Sequence, residues 1–353
     1  MDLNNTVQIY QNDPGKMLEA VGRFPEQCEE AWAIARQAQV AIDAKGITSV
    51  VVTGLGGSAI GGDLLRVYVA DKAELPVLVN RDYILPKFVG SQTLVIATSF
   101  SGNTEETISA YRQAVQAGAR IIVITGGGKL KDLAVQDGVP VVTVPGGIQP
   151  RAATGYLFIP ALVILQRLGL IPDVSREIQD LISNLKILRG QFKPEQPINE
   201  NPAKEIAGRL QNRIPVIYGV TGNTEVAATR WKGQINENSK SAAYWNVFPE
   251  LNHNEIVGFE FPSGLLKQMA VVILRDQQDH TRVQKRVEIT KEIIKQAAGD
   301  IIEVNSTGNS SLARTFSLTY TGDYVSVYLA ALYGIDPTPV KMIDYLKNKL
   351  ADE

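Results

Sequence analysis

The sequence is poor in the residues that build disulfides and metal sites. Its 353 residues include a single cysteine, Cys28, and only two histidines, His253 and His280. One cysteine excludes an internal disulfide framework, and so few thiol and imidazole groups exclude a zinc site. A long apolar run is also lacking. The most apolar stretch, GYLFIPALVILQRLGLI, is interrupted by a proline, a glutamine and an arginine well short of a bilayer span.

Excess charge of one sign is absent as well. The 35 Lys and Arg residues stand against 37 Asp and Glu residues, which gives a formal net charge of −2. Interspersed and balanced charges indicate neither a nucleic-acid surface nor an anionic-membrane surface. The first residues, MDLNNTVQIYQND, lack the basic and apolar regions of a signal peptide. We therefore predict a cytoplasmic protein with a small-molecule partner and no nucleic-acid or membrane partner.

Short apolar segments recur in the first half of the chain. They are SVVVTG (49–54), ELPVLVN (74–80), TLVIATS (93–99), RIIVITG (120–126) and VPVVTVP (139–145). None has period-two polarity, which is typical of strands buried on both faces, and helix-length segments separate most of them. The pattern predicts a doubly wound parallel sheet, preceded by a leading helix over residues 17–44.

A second α/β half is predicted after a polar linker. A helical stretch over about residues 152–190 is followed by GQFKPEQPINENP, and the strand–turn–helix pattern then restarts. The restarted pattern comprises IPVIYGVTGNTEVAATRWKGQINENS (214–239), QMAVVILRD (268–276) and DIIEVNS (300–306). Residues 316–350 are predicted to be helices broken at GIDPTP. The predicted fold class is α/β, with domains at residues 1–190 and 191–353.

Two loops that follow predicted strands are rich in glycine and hydroxyl groups. We call TGLGGSAIGGD (53–63) the first hydroxyl loop and SFSGNTEE (99–106) the second hydroxyl loop. Their candidate ligand-binding residues are Gly57, Ser58, Ser99, Ser101 and Thr104. In parallel sheets the carboxyl ends of the strands adjoin helix N-termini, whose unpaired amides bind anions. The loops therefore predict a phosphate monoester site that needs no buried lysine.

Two other interpretations of these loops stay open. The hydroxyls could instead cap the helix that begins at Glu105, with Glu106 in its first turn. GLGGSA also contains G-x-G-x-x-A after a strand, which is a weak dinucleotide fingerprint. That fingerprint wants an acidic residue at the end of the second strand, where the sequence has Asn80 and Arg81 before Asp82. The nicotinamide interpretation is therefore disfavoured.

Five motifs resemble those of one enzyme family. GLGGSAIGGD, SFSGNTEET, PGGIQPRAATG, INENSKSAAYWN and ELNHNEIVGF occur in the order and approximate spacing of the bifunctional phosphoglucose/phosphomannose isomerases. This branch of the phosphoglucose isomerase superfamily has two sugar-isomerase (SIS) domains. The resemblance, which begins at about residue 50 and reaches the C-terminus, implies two SIS-type doubly wound αβα-sandwich domains. It also implies an isomerase that interconverts glucose 6-phosphate, and mannose 6-phosphate, with fructose 6-phosphate.

The resemblance implies roles for individual residues. The phosphate is held by Gly57, Ser58, Ser99, Ser101 and Thr104. Glu237 is the base that moves a proton between C2 and C1 through a cis-enediol, which one carboxylate can do on one face. Arg151 stabilises the enediolate with a permanent positive charge. His253 and Lys347 exchange the protons that open the sugar ring.

Some of these assignments depend on the motifs alone. Lys341 and Lys349 are alternative matches to the ring-opening lysine, and Thr338 in DPTP is a further candidate for substrate contact. Without its motif, Glu237 would be interpreted as an ordinary carboxylate on a helix surface. His280, in RDQQDHTR, lies among charged residues and is interpreted as solvated.

The predicted chemistry needs no cofactor and no metal. The resemblance implies a homodimer with the active site at its interface, where His253 reaches in from the neighbouring subunit. Two alternatives are a non-catalytic SIS module that senses sugar phosphates and an isomerase of another sugar phosphate. A sensor could dispense with Glu237 and His253, so their presence favours the enzyme. Residues 1–45 precede the reliable resemblance, and no role is predicted for them.

Overall fold

Apolar, β-branched segments form the two parallel sheets of the protein. The structure, a computed structural model, describes residues 2–351. These residues form two compact units, which we name after their sheets. The N-sheet unit comprises residues 23–183 and 309–313, and the C-sheet unit comprises residues 2–22, 184–308 and 314–351.

Helices and strands alternate through most of the chain. The helices are α1 (Thr6–Gln11), α2 (Met17–Gly22), α3 (Phe24–Gln37), α4 (Gly57–Tyr68), α5 (Glu105–Gln116), α6 (Gly128–Gln136), α7 (Thr154–Arg167), α8 (Ser175–Phe192), α9 (Pro202–Leu210), α10 (Glu225–Asn238), α11 (Ser263–Leu266), α12 (Thr281–Ile294), α13 (Ser311–Tyr333) and α14 (Lys341–Ala351). The strands are β1 (Ser49–Thr53), β2 (Val77–Asn80), β3 (Thr93–Ser99), β4 (Arg120–Thr125), β5 (Val141–Thr143), β6 (Ile214–Val220), β7 (Tyr244–Phe248), β8 (Met269–Arg275) and β9 (Asp300–Asn305). In the described chain no helix is both long and apolar enough to cross a membrane.

The N-sheet unit is built on a five-stranded sheet in the order β2-β1-β3-β4-β5. Every neighbouring pair is parallel, which confirms the predicted doubly wound sheet. On one face, Val51, Val95 and Val123 pack against α5 and α6. On the other face, α4 approaches the sheet so closely that a Cβ added to Gly62 would lie 2.9 Å from Val52 Cγ1. Both faces are therefore covered, as the continuous apolar strands predict.

The C-sheet unit contains four parallel strands in the order β7-β6-β8-β9. Strands β6, β8 and β9 match the predicted segments, whereas β7 was not predicted. Its first residues, Tyr244 and Trp245, are 60% and 40% exposed. An edge strand with exposed aromatic residues lacks the continuous apolar character that identified the other strands.

The leading segment differs from the predicted single helix. Helices α2 and α3 replace it, and the chain from Ala38 to β1 is not helical. Helix α2 belongs to the C-sheet unit and α3 to the N-sheet unit. The predicted helical stretch over 152–190 is likewise two helices, separated by a turn in which Gly169 has φ +72°. The predicted break at GIDPTP is confirmed, since it separates α13 from α14.

Helix α10 is fixed against α13 by buried contacts. The Trp231 Nε1 group donates a hydrogen bond to the Leu318 carbonyl at 2.7 Å. Arg230 forms an ion pair with Asp323 at 2.8 Å, and both side chains are at least 95% buried. These contacts set the position of α10, the helix that carries the predicted base.

Candidate active site

The two hydroxyl loops lie side by side at the carboxyl edge of the N-sheet. Strands β1 and β3 are hydrogen-bonded neighbours, with Thr53 opposite Ala97. A Cβ added to Gly54 would lie 2.7 Å from the Thr98 carbonyl oxygen and 2.9 Å from Ser58 Cβ. Glycine at position 54 therefore allows the first hydroxyl loop to lie against the end of β3.

Two helix N-termini begin at these loops. Helix α4 follows Gly56, whose φ of +54° favours glycine, and α5 follows Thr104. Within the described chain neither N-cap residue makes a side-chain hydrogen bond to its helix. The Thr104 hydroxyl instead lies 2.9 Å from Ser99 Oγ. This pairing disfavours the interpretation that the Thr104 hydroxyl caps α5. Helices α4 and α5 both begin at the carboxyl edge of the sheet, where helix N-termini favour anions.

The serines of the second hydroxyl loop are held in place by backbone amides. Ser99 Oγ accepts a hydrogen bond from Gly102 N at 3.1 Å, and Ser101 Oγ accepts one from Asn103 N at 3.3 Å. Ser99 is only 1% exposed, whereas Ser101 is exposed. A hydroxyl that accepts a backbone bond still carries a proton to donate, so Ser101 is suited to bind an anion from solvent.

A third loop, after β4, joins the same edge of the sheet and was not predicted to take part. Asn103 Oδ1 accepts a hydrogen bond from Lys129 N at 3.1 Å. A Cβ added to Gly102 would overlap the Gly127 carbonyl group, so the second and third loops meet backbone to backbone. The signal in the sequence was the glycine run TGGGK (125–129), which permits such an approach.

Arg151 lies next to the first hydroxyl loop. It belongs to the short 3-10 helix Pro150–Ala152 and is only 4% exposed. A Cβ added to Gly57 would lie 2.7 Å from the Pro150 carbonyl oxygen and 3.4 Å from Arg151 Cα. Gly57 therefore has a steric role, because it lets the segment that carries Arg151 approach the start of α4.

The turn after Arg151 is held by a side chain of α3. Gln27 Nε2 donates to the Ala152 carbonyl at 2.9 Å, and Gln27 Oε1 accepts from Gly155 N at 2.7 Å. A second bond links the same helices, from Tyr156 OH to Glu30 at 2.5 Å. Burial and the Glu30 carboxylate raise the pKa of Tyr156, so its hydroxyl stays a donor. Helix α3 thus braces the Arg151 turn.

The predicted base, Glu237, lies in the last turn of α10 and is half-buried. Its neighbours are anchored to α13. Asn238 Nδ2 donates to Ser326 Oγ at 2.9 Å, and Ser239 Oγ donates to the Ser326 carbonyl at 2.7 Å. Gln234 Nε2 donates to Asp323 at 2.9 Å one turn earlier. The C-terminal end of α10 is therefore fixed on several sides.

His253 is exposed and ends the 3-10 helix Glu250–His253, which follows β7. Strands β6 and β7 are parallel, and α10 connects the carboxyl end of β6 to the amino end of β7. Glu237, at the end of α10, therefore lies toward the amino edge of the C-sheet, and His253 lies at its carboxyl edge. Within the C-sheet unit of one chain the two residues are separated by the length of β7.

The remaining candidates lie near the C-terminus. Lys347 is in α14 with both alternatives, Lys341 and Lys349, and all three side chains are exposed. Thr338 is half-buried in the segment between α13 and α14. His280 has a structural role: it is the N-cap of α12, and its Nδ1 accepts a hydrogen bond from Arg282 N at 3.1 Å. Among residues 2–351, no group of three or more His, Cys, Asp or Glu residues has the arrangement of a metal site.

Family models match both halves of the chain. The SIS domain model matches residues 45–132, and the model of the bacterial phospho-glucose isomerase C-terminal SIS domain matches residues 199–350. A glucose-6-phosphate isomerase like protein from Thermus thermophilus has a similar fold, with a TM-score of 0.64 at 20% identity over 97% of this chain and 99% of that one. Fold and matches together define a protein with two SIS domains.

Curated relatives define the family more narrowly. A bifunctional phosphoglucose/phosphomannose isomerase from Caldicellulosiruptor bescii is 56% identical over 95% of this chain and 99% of its own length. One from Aquifex aeolicus is 40% identical over 88% of this chain and 93% of its own. The chain belongs to the bifunctional phosphoglucose/phosphomannose isomerase family, which confirms the resemblance read from its motifs.

Proposed function

We propose that the protein interconverts glucose 6-phosphate and mannose 6-phosphate with fructose 6-phosphate, without a metal or cofactor. The observation that carries the proposal is the meeting of two helix N-termini, their hydroxyl loops and Arg151 at one edge of the N-sheet. Amide and hydroxyl donors suit a phosphate ester, and the names of the curated relatives supply the sugars. A sensor module is disfavoured because those relatives are isomerases.

The phosphate of the substrate is bound by the hydroxyl loops. Its ligands are Gly57 and the hydroxyl residues Ser58, Ser99, Ser101 and Thr104. The exposed Ser101 hydroxyl donates directly, while Ser99 and Thr104 support each other through their 2.9 Å contact. The amides at the starts of α4 and α5 add positive potential without a titratable group. This supports binding of the phosphate dianion over a wide pH range.

Glu237 is the base of the isomerisation. Its carboxylate removes the proton from C2 of the open-chain aldose, the C2–H electron pair becomes the C1–C2 double bond, and the C1 carbonyl oxygen becomes the negatively charged oxygen of the enediolate. The same proton returns to C1, and the C2 hydroxyl becomes the ketone as its proton passes to the C1 oxygen. Arg151 stabilises the negative charge of the enediolate. Glucose and mannose 6-phosphates give the same cis-enediol, which accounts for a bifunctional enzyme.

Ring opening is assigned to His253 and Lys347, which exchange protons with the ring oxygen and the anomeric hydroxyl. We propose that the protein is a homodimer in which His253 of one chain serves the site of the other. The proposal is supported by the separation of His253 from Glu237 by the length of β7 within one chain. The cytoplasmic location stays a prediction.

A single substitution tests the role of Glu237. The Glu237→Gln variant keeps the shape of the side chain but cannot accept the proton, so isomerisation should fall at least about 10³-fold. Calorimetry should show that fructose 6-phosphate still binds. Glu205→Gln, at an exposed position of α9, is the control and should keep full activity. Turnover of Glu237→Gln at the rate of the control would refute the assignment of the base.

A further inference from the structure

The N-terminal segment, for which the sequence predicts no role, is fixed to the C-sheet unit. We call residues 2–22 the strap. Asn4 Oδ1 accepts a hydrogen bond from Ile198 N at 2.9 Å, and Tyr10 OH donates to Glu195 at 2.9 Å. Burial and the Glu195 carboxylate raise the pKa of Tyr10 to about 12, so this donor keeps its proton. The strap is therefore an ordered part of the unit.

The strap turns sharply at Asp13 and Gly15. The Asp13 carboxylate accepts hydrogen bonds from Met17 N at 2.8 Å and Leu18 N at 2.7 Å, at the start of α2. This places Gly15 against Thr338. A Cβ added to Gly15 would lie 2.7 Å from Thr338 Cγ2 and closer still to its Oγ1 and Cβ. Only glycine fits this contact without displacing one of the two backbones.

Thr338 belongs to a short loop with a second attachment. We call residues 336–339, with the sequence DPTP, the DPTP loop. Asp336 Oδ1 accepts a hydrogen bond from Thr338 N at 2.9 Å, which holds the turn. The Pro337 carbonyl accepts a hydrogen bond from Lys240 Nζ at 2.8 Å. The strap therefore contacts the DPTP loop at Thr338, and Lys240 binds it at Pro337.

The Lys240 ammonium also binds the end of α10. Its Nζ donates to the Glu237 carbonyl at 2.6 Å and lies 3.4 Å from the Asn238 carbonyl. An ammonium group has three donors and a compact charge, which suits three converging carbonyl oxygens better than the planar fork of arginine. The positive charge also stabilises the C-terminal end of the helix dipole. The backbone of Lys240 has an unfavourable φ of +53° in the conformation that makes these contacts.

We infer that Lys240 is a positioning residue for Glu237, and that the strap supports it through the contact of Gly15 with the DPTP loop. The inference rests on the proposed function, because it concerns the base of that reaction. Lys240 acts on the backbone of Glu237 and holds the last turn of α10 in one orientation. The carboxylate that must reach C2 and C1 is carried by that turn. A small rotation of the turn would misplace it.

The first arm of the test compares Lys240→Met with Lys232→Met, where Lys232 is a half-buried lysine of α10, the helix whose end Lys240 binds. Misplacement of a catalytic group by about 1 Å can cost about 100-fold in rate, so Lys240→Met should lower kcat by about 10- to 100-fold. The KM for fructose 6-phosphate and the circular dichroism spectrum should match those of Lys232→Met. A helix cap with no positioning role would change melting temperature alone. Equal kcat values for the two variants would overturn the inference.

The second arm tests the strap and does not depend on the folding of Lys240→Met. Gly15→Ala should lower kcat, whereas Gly22→Ala should not, because a Cβ at position 22 meets only Tyr324 OH at an ordinary 3.5 Å. Thr338→Gly removes the atoms that Gly15→Ala would strike. In the Thr338→Gly background, the fold-decrease in kcat caused by Gly15→Ala should be at least about threefold smaller than in the wild type. A coupling of this size is typical of residues in contact.

Additive effects of the two substitutions would overturn the role of the strap. The outcomes separate the inference from the function on which it rests. If the wild-type protein forms no fructose 6-phosphate, the proposed function and the inference both fail. If the wild-type protein isomerises and the variants match their controls, only the inference fails.

Discussion

Gln27 of α3 holds the turn after Arg151 with two hydrogen bonds, and loss of these bonds should lower stability and catalysis together. Gln27 extends from α3 and uses both ends of its amide, donating to Ala152 O and accepting from Gly155 N. Gln27 is only 5% exposed, so bulk water cannot take the place of its amide group at the two backbone partners. Gln27→Met is close to isosteric and removes both hydrogen bonds.

The magnitude follows from the two backbone groups left without their partner. A buried donor or acceptor that loses its hydrogen bond costs about 1–3 kcal/mol. Gln27→Met should therefore lower the free energy of unfolding of the N-sheet unit by about 2–6 kcal/mol, a large share of the roughly 5–15 kcal/mol typical of a domain. Because the turn carries Arg151, kcat should also fall in the variant that remains folded.

Urea unfolding followed by circular dichroism, and the isomerase assay at low urea, measure the two effects. Gln37→Met is the matched control, because Gln37 is an exposed residue of the same helix. Hydrogen exchange of the Gly155 amide should accelerate in Gln27→Met and not in Gln37→Met. Wild-type stability together with unchanged exchange at Gly155 would refute the claim that Gln27 holds this turn.

Two further predictions concern single side chains. Lys204 is fully buried, and its Nζ donates to Pro194 O at 2.6 Å and Gln196 O at 2.7 Å, while burial lowers its pKa from 10.5. Between the folded-state pKa and 10.5 the unfolded chain binds more protons than the folded chain, so the stability of the wild type relative to Lys204→Met should increase with pH. Thermal melts of both proteins from about pH 7 to about pH 10 measure this difference in stability. A difference that stays constant with pH would contradict the expectation. Ser101→Ala should raise KM for fructose 6-phosphate by about 3- to 10-fold with little change in kcat, because one hydrogen-bond donor to the phosphate is lost. Initial-rate kinetics measure both constants. An unchanged KM would show that Ser101 is not part of the phosphate site.

The parallel sheets could be predicted because burial on both faces leaves a direct mark on the sequence. The central residues of strands β1, β3 and β4 are runs of apolar, mostly β-branched residues, with polar residues only at the strand ends, and the burial of these strands is nearly complete. The hydroxyl loops were also visible, because glycine and serine follow those strands directly. Strand β7 could not be predicted, since Tyr244 and Trp245 are exposed at a sheet edge and resemble loop residues.

Long-range contacts were beyond the reach of the sequence. Nothing in the sequence around Gly15 indicates that it meets Thr338, which is more than three hundred residues away. Lys240 belongs to the motif INENSKSAAYWN, but its contacts with carbonyl groups of α10 and of the DPTP loop become evident only in the folded structure. Gln27 and the Arg151 turn are a similar case. Local patterns predict elements, whereas these contacts depend on how the elements pack.

The central claim is that one chelator-treated protein forms fructose 6-phosphate from both aldose phosphates. The most direct measurement offers the purified protein glucose 6-phosphate and, separately, mannose 6-phosphate, and follows fructose 6-phosphate by a coupled assay. The account predicts product from both substrates, because both give the same cis-enediol at Glu237. If neither substrate gives product while calorimetry still shows that sugar phosphate binds, the account is contradicted and a sensor module is favoured.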